Sequence, residues 1–195
     1  ISALVDVTNF FTFDMNRPLH VFDAEKVKGD LRLYRATGGE RLTGLDDKEY
    51  VFEPGMTVIA DDAGPESIAG VMGGLPTGCT EETTSVFVEA AYFDPVRTAH
   101  TGRGLKINSD ARYRFERGID PAWTPHGLEA ATRMILDLCG GAPSEVVVAG
   151  EIPDQARAYR FDPARVEKLV GMSIPEAAQR ATLTALGFCL EGEMA

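Results

Sequence analysis

Cysteine is scarce in this sequence: three residues in 195, Cys79, Cys139 and Cys189. An odd number at wide separations fits neither a disulfide framework nor zinc-ligand spacing, so a reducing, cytoplasmic compartment is expected. No apolar run approaches the roughly 20 residues that a membrane-spanning helix needs. A soluble protein with no membrane partner is expected. Positive charge is also short, with 19 Lys and Arg against 30 Asp and Glu and a net charge of -11. Non-specific affinity for nucleic acid comes from cations neutralising phosphates, so a broad footprint is excluded, DNA is not expected as a partner, and any RNA contact must be local. There is no Gly-x-Ser-x-Gly, no Walker-type lysine loop and no cysteine paired with a nearby histidine, which leaves a covalent nucleophile without a candidate. Asp61-Asp62 and His20 with Asp23 match no metal motif, and adjacent aspartates on a strand point to opposite faces, so no metal site is expected.

The remaining composition, 44% hydrophobic and 25% charged, is ordinary for a globular chain of one or two domains. The sequence opens on Ile1 without a basic leader and reads as a piece of a longer protein. No internal repeat or low-complexity segment interrupts it.

Helical spacing of Leu4, Val5, Thr8, Phe11 and Met15 after Ser2 predicts a first helix that ends at Asn16-Arg17-Pro18. Asp23 is placed to cap a short helix over 24–28, closed by Gly29. Short β-type runs follow at 31–34, 50–52, 57–60, 67–72 and 85–93, separated by Gly, Asp and Pro, and predict one sheet. Asp94-Pro95 and Ser109-Asp110 each open a helix, the second running to Arg117 before Gly118. Thr124-Pro125 starts a longer helix with an apolar stripe of Leu128, Ala131, Met134, Ile135 and Leu138, ended by Gly140-Gly141. The run 145–149 reads as a strand and Pro153-Asp154-Gln155 as a linker. Beyond it, Asp162-Pro163 opens a helix to about Val170, and Ser173-Ile174-Pro175-Glu176 supplies a capping box for another to Leu186. The fold class is therefore α+β, a mainly antiparallel sheet with flanking helices over 1–152, followed by a small, partial helix-turn-helix-like module over 153–195. That module has a net charge of -1, which favours packing or docking over DNA binding.

One stretch runs against the acidic background. Leu105 to Pro121 sets Lys106, Arg112, Arg114 and Arg117 beside Asp110, Glu116 and Asp120. Together with Leu4-Val5-Asp6-Val7-Thr8-Asn9, Arg17-Pro18-Leu19-His20-Val21-Phe22-Asp23, Ile68-Ala69-Gly70-Val71-Met72-Gly73-Gly74 and Val88-Glu89-Ala90-Ala91, it closely resembles the editing region of the bacterial phenylalanyl-tRNA synthetase beta subunit. The motifs occur in the family's order, and the resemblance covers its third and fourth modules plus the front of the fifth. It implies hydrolysis of misacylated Tyr-tRNA(Phe), with the tRNA(Phe) acceptor end and the synthetase alpha subunit as partners. It implies no cofactor for this fragment; ATP and Mg²⁺ belong only to the parent enzyme's ligase reaction.

Glu89 lies in a run apolar on both strand faces, so its carboxylate points inward and needs a partner. On the residues alone that partner can be Arg112, Arg114 or Arg117; by resemblance Glu89 instead recognises the para-hydroxyl of a misattached tyrosine. His20 reads as a loop imidazole, either a structural hydrogen-bonding residue or, by resemblance, a pocket residue orienting water or the ester carbonyl. Gly73 and Gly74 read as turn glycines that in the family line the amino-acid pocket. Ser109, usually threonine in the family, and Ala111 match two further pocket positions. Arg97, His100, Arg103 and Lys106 recur every third residue. Arg97, Arg103 and Lys106 are candidate tRNA contacts, with pairing to Asp110, Glu116 and Asp120 as the alternative. A non-catalytic scaffold that guides the acceptor end is the competing function.

Overall fold

Ser2 starts the first helix, α1 (Ala3–Asp14), by accepting a hydrogen bond from the Val5 amide at 3.4 Å. The computed structural model describes residues 2–154 and 156–192, and the chain divides into two compact units, Ile1–Asp154 and Gln155–Ala195. Described residues form six helices and eight strands, all strand pairs antiparallel, an α+β fold.

After α1 the chain enters β1 (Leu19–Asp23), where the sequence suggested a loop. The expected helix over 24–28 is a turn. The Asp23 carboxylate accepts from the Glu25 amide and from the Thr83 hydroxyl, which folds the chain back locally instead of capping a helix. The expected single sheet is three small ones. β2 (Arg32–Arg35), β5 (Thr57–Ala60), β6 (Pro65–Ile68) and β7 (Met72–Gly73) form the largest, in that order. β3 (Arg41–Thr43), which the sequence did not suggest, pairs β4 (Glu49–Val51), and β1 pairs β8 (Val86–Ala90).

Alternation explains how these sheets build cores. All four residues of β5 are buried; Val58 and Ala60 join one cluster with Phe52, Ile68 and Ile107, while Ile59 faces a second. In β1–β8 the register is Leu19 opposite Ala90, His20 opposite Glu89 and Val21 opposite Val88. Leu19 and Val88 pack against Val7, Phe11, Ala131 and Ile135 of α1 and α4 (Thr124–Cys139). Phe22 turns to the other face, where it packs with Ile59, Phe93, Phe115 and Ile119. Complete burial of a ring like Phe22 contributes about 2–3 kcal/mol. His20 is two residues from Phe22 and shares that face.

Asp94 and Ser109 cap α2 (Pro95–Gly104) and α3 (Asp110–Phe115) as expected, accepting from the Arg97 and Arg112 amides. Residues 145–149 form no strand. Val146, Val147 and Val148 are 62%, 84% and 67% exposed and have no ladder partner, so β-branched propensity goes unanswered.

In the second unit, α5 (Ala164–Val170) ends at Gly171 with φ 75°, and α6 (Glu176–Ala185) begins after Pro175. The anticipated Ser173 capping box is absent, because Pro175 disfavours helical geometry at Ile174. Gln179 closes the turn instead, donating to the Ile174 carbonyl at 2.7 Å. Gln155, part of the expected linker, lies outside the described residues.

Candidate functional site

Direct cross-strand partners project from the same side of an antiparallel pair. Register alone therefore brings His20 and Glu89 together, although they are far apart in sequence. Both line a cavity of about 70 Å³ with Pro18, Ser67, Gly70, Gly73, Phe93, Ala111 and Phe115 among its walls. One water needs only ~10–15 Å³ by the same measure, so polar groups and water fit here together.

Neither group has a polar side-chain partner among the described residues. The Glu89 carboxyl makes no hydrogen bond or ion pair with a described residue. The three arginines considered for it are engaged elsewhere. Arg112 bonds Glu116 at 2.9 Å and Asn108 at 3.0 Å, Arg114 pairs with Asp110 at 3.2 Å, and Arg117 pairs with Glu116 at 2.9 Å. The His20 Nε2 atom is buried with no hydrogen-bond partner among the described residues. Each residue keeps some accessible surface, yet its titrating group is largely stripped of water. Burial pushes the Glu89 carboxyl up to about 7 and the His20 imidazole down to about 4. At neutral pH the cavity thus holds an uncharged imidazole facing a carboxyl poised between its two forms.

The glycines divide. At Gly73 an added Cβ would stand 2.2 Å from the His20 Cε1 atom, so hydrogen at this position is what admits the ring. Gly74 does not line the cavity; a Cβ there would meet the Glu66 carbonyl oxygen at 2.5 Å and Leu42 at 2.7 Å, a requirement of backbone packing. Ala111 faces the cavity from α3. Ser109, at the cap of α3, lies outside the lining, and both functions of its hydroxyl are in use. It donates to the Val71 carbonyl at 2.5 Å and accepts from the Arg112 amide at 3.1 Å, tying the Gly70-Val71 wall to α3.

Arg97 and Arg103 lie with His100 around a shallow depression of about 780 Å³ on the outer side of α2. Lys106 lies past the end of that helix with φ 57° and does not line it. All three cations are exposed, and none pairs with a described acid. The acids considered for them go to other arginines, with Asp120 acting electrostatically on Arg17. Arg35 stands near Arg97; burial first, and then that like charge, lowers its pKa.

Ser67 and Phe93 carry no local signal as lining residues, because non-local packing brings them in. Arg17 is a further omission. Read as a helix terminator, it is 1% exposed and donates to Thr124 at 3.0 Å, to the Asp120 carbonyl and to the Ala91 carbonyl at 3.5 Å. It pins the segment that delivers His20. Among the described residues, no group of three or more His, Cys, Asp or Glu could hold a metal ion, and no helix is long and apolar enough to cross a membrane.

Comparison with known proteins gives this geometry a context. The model of the B3/4 domain family matches residues 1–140. Over all 195 residues the chain is 68% identical to the phenylalanine–tRNA ligase beta subunit of Ruegeria pomeroyi and 67% identical to that of Cereibacter sphaeroides. It is 59% identical to that of Paramagnetospirillum magneticum over 96% of the chain. It spans 24% of the length of each of the first two and 23% of the third.

Proposed function

Because the chain belongs to the B3/4 domain family, we propose that its cavity is the editing site of a phenylalanine–tRNA ligase beta subunit, which hydrolyses tyrosine wrongly esterified to tRNA(Phe). On this reading residues 1–152 are the editing domain and 153–195 begin the next module. The alpha subunit, ATP and Mg²⁺ serve the ligase reaction elsewhere in a cytoplasmic parent enzyme.

The observation that supports the reading is a pair of polar groups without a hydrogen-bond partner among the described residues, the Glu89 carboxyl and His20 Nε2, facing one small cavity. Tyrosine differs from phenylalanine by one hydroxyl. Ionised, Glu89 accepts a hydrogen bond from the phenol; protonated, it still offers its carbonyl oxygen. A phenyl ring instead strips the carboxyl of its remaining water and returns nothing. Sites built to bond a hydroxyl reject analogues lacking it by about 10⁴–10⁵. Correctly charged Phe-tRNA is spared in this way.

Hydrolysis joins a water oxygen to the ester carbonyl carbon and breaks the bond to the ribose oxygen, which leaves with a proton. With a pKa of about 4, His20 is a weak base at neutral pH; its free nitrogen orients water or carbonyl instead of driving proton removal. Ser109 acts one step back, holding the wall. Catalysis rests mainly on positioning and on stabilising charge at the ester, with the ribose hydroxyls of the substrate available to help. Arg97, Arg103 and Lys106, exposed and unpaired with described acids, supply local phosphate contacts for the acceptor end.

The test compares deacylation of Tyr-tRNA(Phe) and Phe-tRNA(Phe) by the complete ligase and its Glu89→Ala variant. Preference for the tyrosyl ester should fall by about 100-fold, a conservative share of what a hydroxyl-binding site achieves. Undiminished preference would refute the assignment.

A further inference from the structure

Helix α3 has a second face, turned away from the cavity, whose side chains neither the cavity nor the cores use. Tyr113 lies on it and Arg117 follows in the turn after the helix, with the Arg117 guanidinium carbon 3.7 Å from the Tyr113 ring centroid. From the other end of the sequence, α1 delivers Phe13 to the same surface. The Arg114 guanidinium is 4.7 Å from the Phe13 ring and 6.0 Å from the Tyr113 ring. Phe13, Arg114, Tyr113 and Arg117 therefore alternate ring and cation across α1, α3 and the turn that follows α3.

Stability is a weak reason for this arrangement. Phe13 is 61% and Tyr113 56% exposed, while the Arg114 side chain between them is only 13% exposed, and cation–π pairs open to water on one side contribute little to stability. Electrostatic capture of phosphates is also a poor fit, because Asp110 pairs with Arg114 and Glu116 with Arg117. With the charges balanced, the surface offers flat π faces with polar edges. Planar groups of the same character, nucleobases, stack on aromatic rings and guanidinium planes, and they do so only when unpaired and free of their own helix. Position points the same way: Ala111, two residues before Tyr113, lines the cavity. The two faces of α3 are separated by no more than a helix diameter of about 10–12 Å.

We propose that Phe13, Arg114, Tyr113 and Arg117 form a stacking platform for an unpaired base of the RNA strand whose aminoacylated end enters the cavity. This rests on the reading of the cavity as an aminoacyl-ester site. The base stacks on the Tyr113 ring and the Arg117 guanidinium that lies over it, with Phe13 bounding the platform, and the strand turns around α3 to bring its terminal ribose to Glu89 and His20.

A short single-stranded RNA carrying 2-aminopurine near its 3′ end reports stacking directly, through quenching of its fluorescence on the complete chain. Quenching should be clear with the native protein and with Tyr113→Phe, which keeps the ring. It should be lost with Tyr113→Ala, with affinity about tenfold weaker, in line with the contribution of one stacked base. The same RNA closed into a duplex should give no quenching. Quenching absent with native protein, retained in Tyr113→Ala, or equal for duplex and single strand would overturn the platform. The oligonucleotide carries no amino acid, so its signal is independent of tyrosine selection by Glu89. A failed platform would leave the deacylation result standing, and a failed deacylation would leave this signal standing.

Discussion

Position 73 shows how a site can depend on a side chain that is missing. The His20 ring occupies space that any Cβ at Gly73 would claim, with Cε1 at 2.2 Å and Nε2 at 2.8 Å from the built atom. Gly73→Ala should expel the imidazole toward water and relieve the desolvation that depresses its pKa. NMR titration should find His20 near 4 in the native protein and moved toward 6.5 in the variant, with deacylation slowed by at least about tenfold. A variant that still titrates near 4 would show that the wall yields instead. Part of this chemistry was legible in the residues themselves. The apolar run around Glu89 implied an inward carboxylate, whereas Ala111 stood out as a pocket position only through the resemblance. The roles of Ser109 and Gly74 were not legible, since a hydroxyl spent on the Val71 carbonyl and a glycine pressed on the Glu66 backbone look, in sequence, like any other pocket candidates.

The β1–β8 ribbon sets two opposed titrations side by side. Glu89 rises from 4.5 unfolded to about 7 folded, so between those values the folded state keeps a proton that the unfolded chain sheds, and stability is lost as pH rises through that window. His20 falls from 6.5 to about 4, so the unfolded chain gains the proton first, and stability is lost as pH falls through that window. In the overlap, pH 4.5 to 6.5, the two slopes cancel. Removing either partner unmasks the other. Relative to the native protein, Glu89→Gln should gain roughly 2 kcal/mol on going from the acid to the neutral end of the overlap, and His20→Leu should lose a similar amount. Urea denaturation across that range measures both; parallel stability curves for all three proteins would contradict the paired burial. This ribbon was also the hardest element to read. Leu19 to Asp23 is flanked by a proline and a turn, and its partner strand lies at the far end of the sheet region, so nothing local marks the pairing. Helices with local start signals, Ser2, Asp94 and Ser109, were legible. Val146 to Val148, strand-like in composition, pairs with no strand.

At the scale of the whole chain, a net charge of -11 leaves little general attraction for RNA, so the proposed contacts are confined to the two faces of one short helix and the exposed cations of α2. The α+β class followed from the spacing of strand-like and helical runs. The division into three sheets depends on which strands meet and could not. The proposed cavity distinguishes a phenol from a phenyl ring by the Glu89 carboxyl. Crystals of the protein soaked in parallel with L-tyrosine and L-phenylalanine test this most directly. Ordered tyrosine with its phenolic oxygen within hydrogen-bond distance of the Glu89 carboxyl, and no comparable density for phenylalanine, is the expected result. Equal occupancy by both amino acids, or tyrosine bound with its hydroxyl away from Glu89, would contradict it.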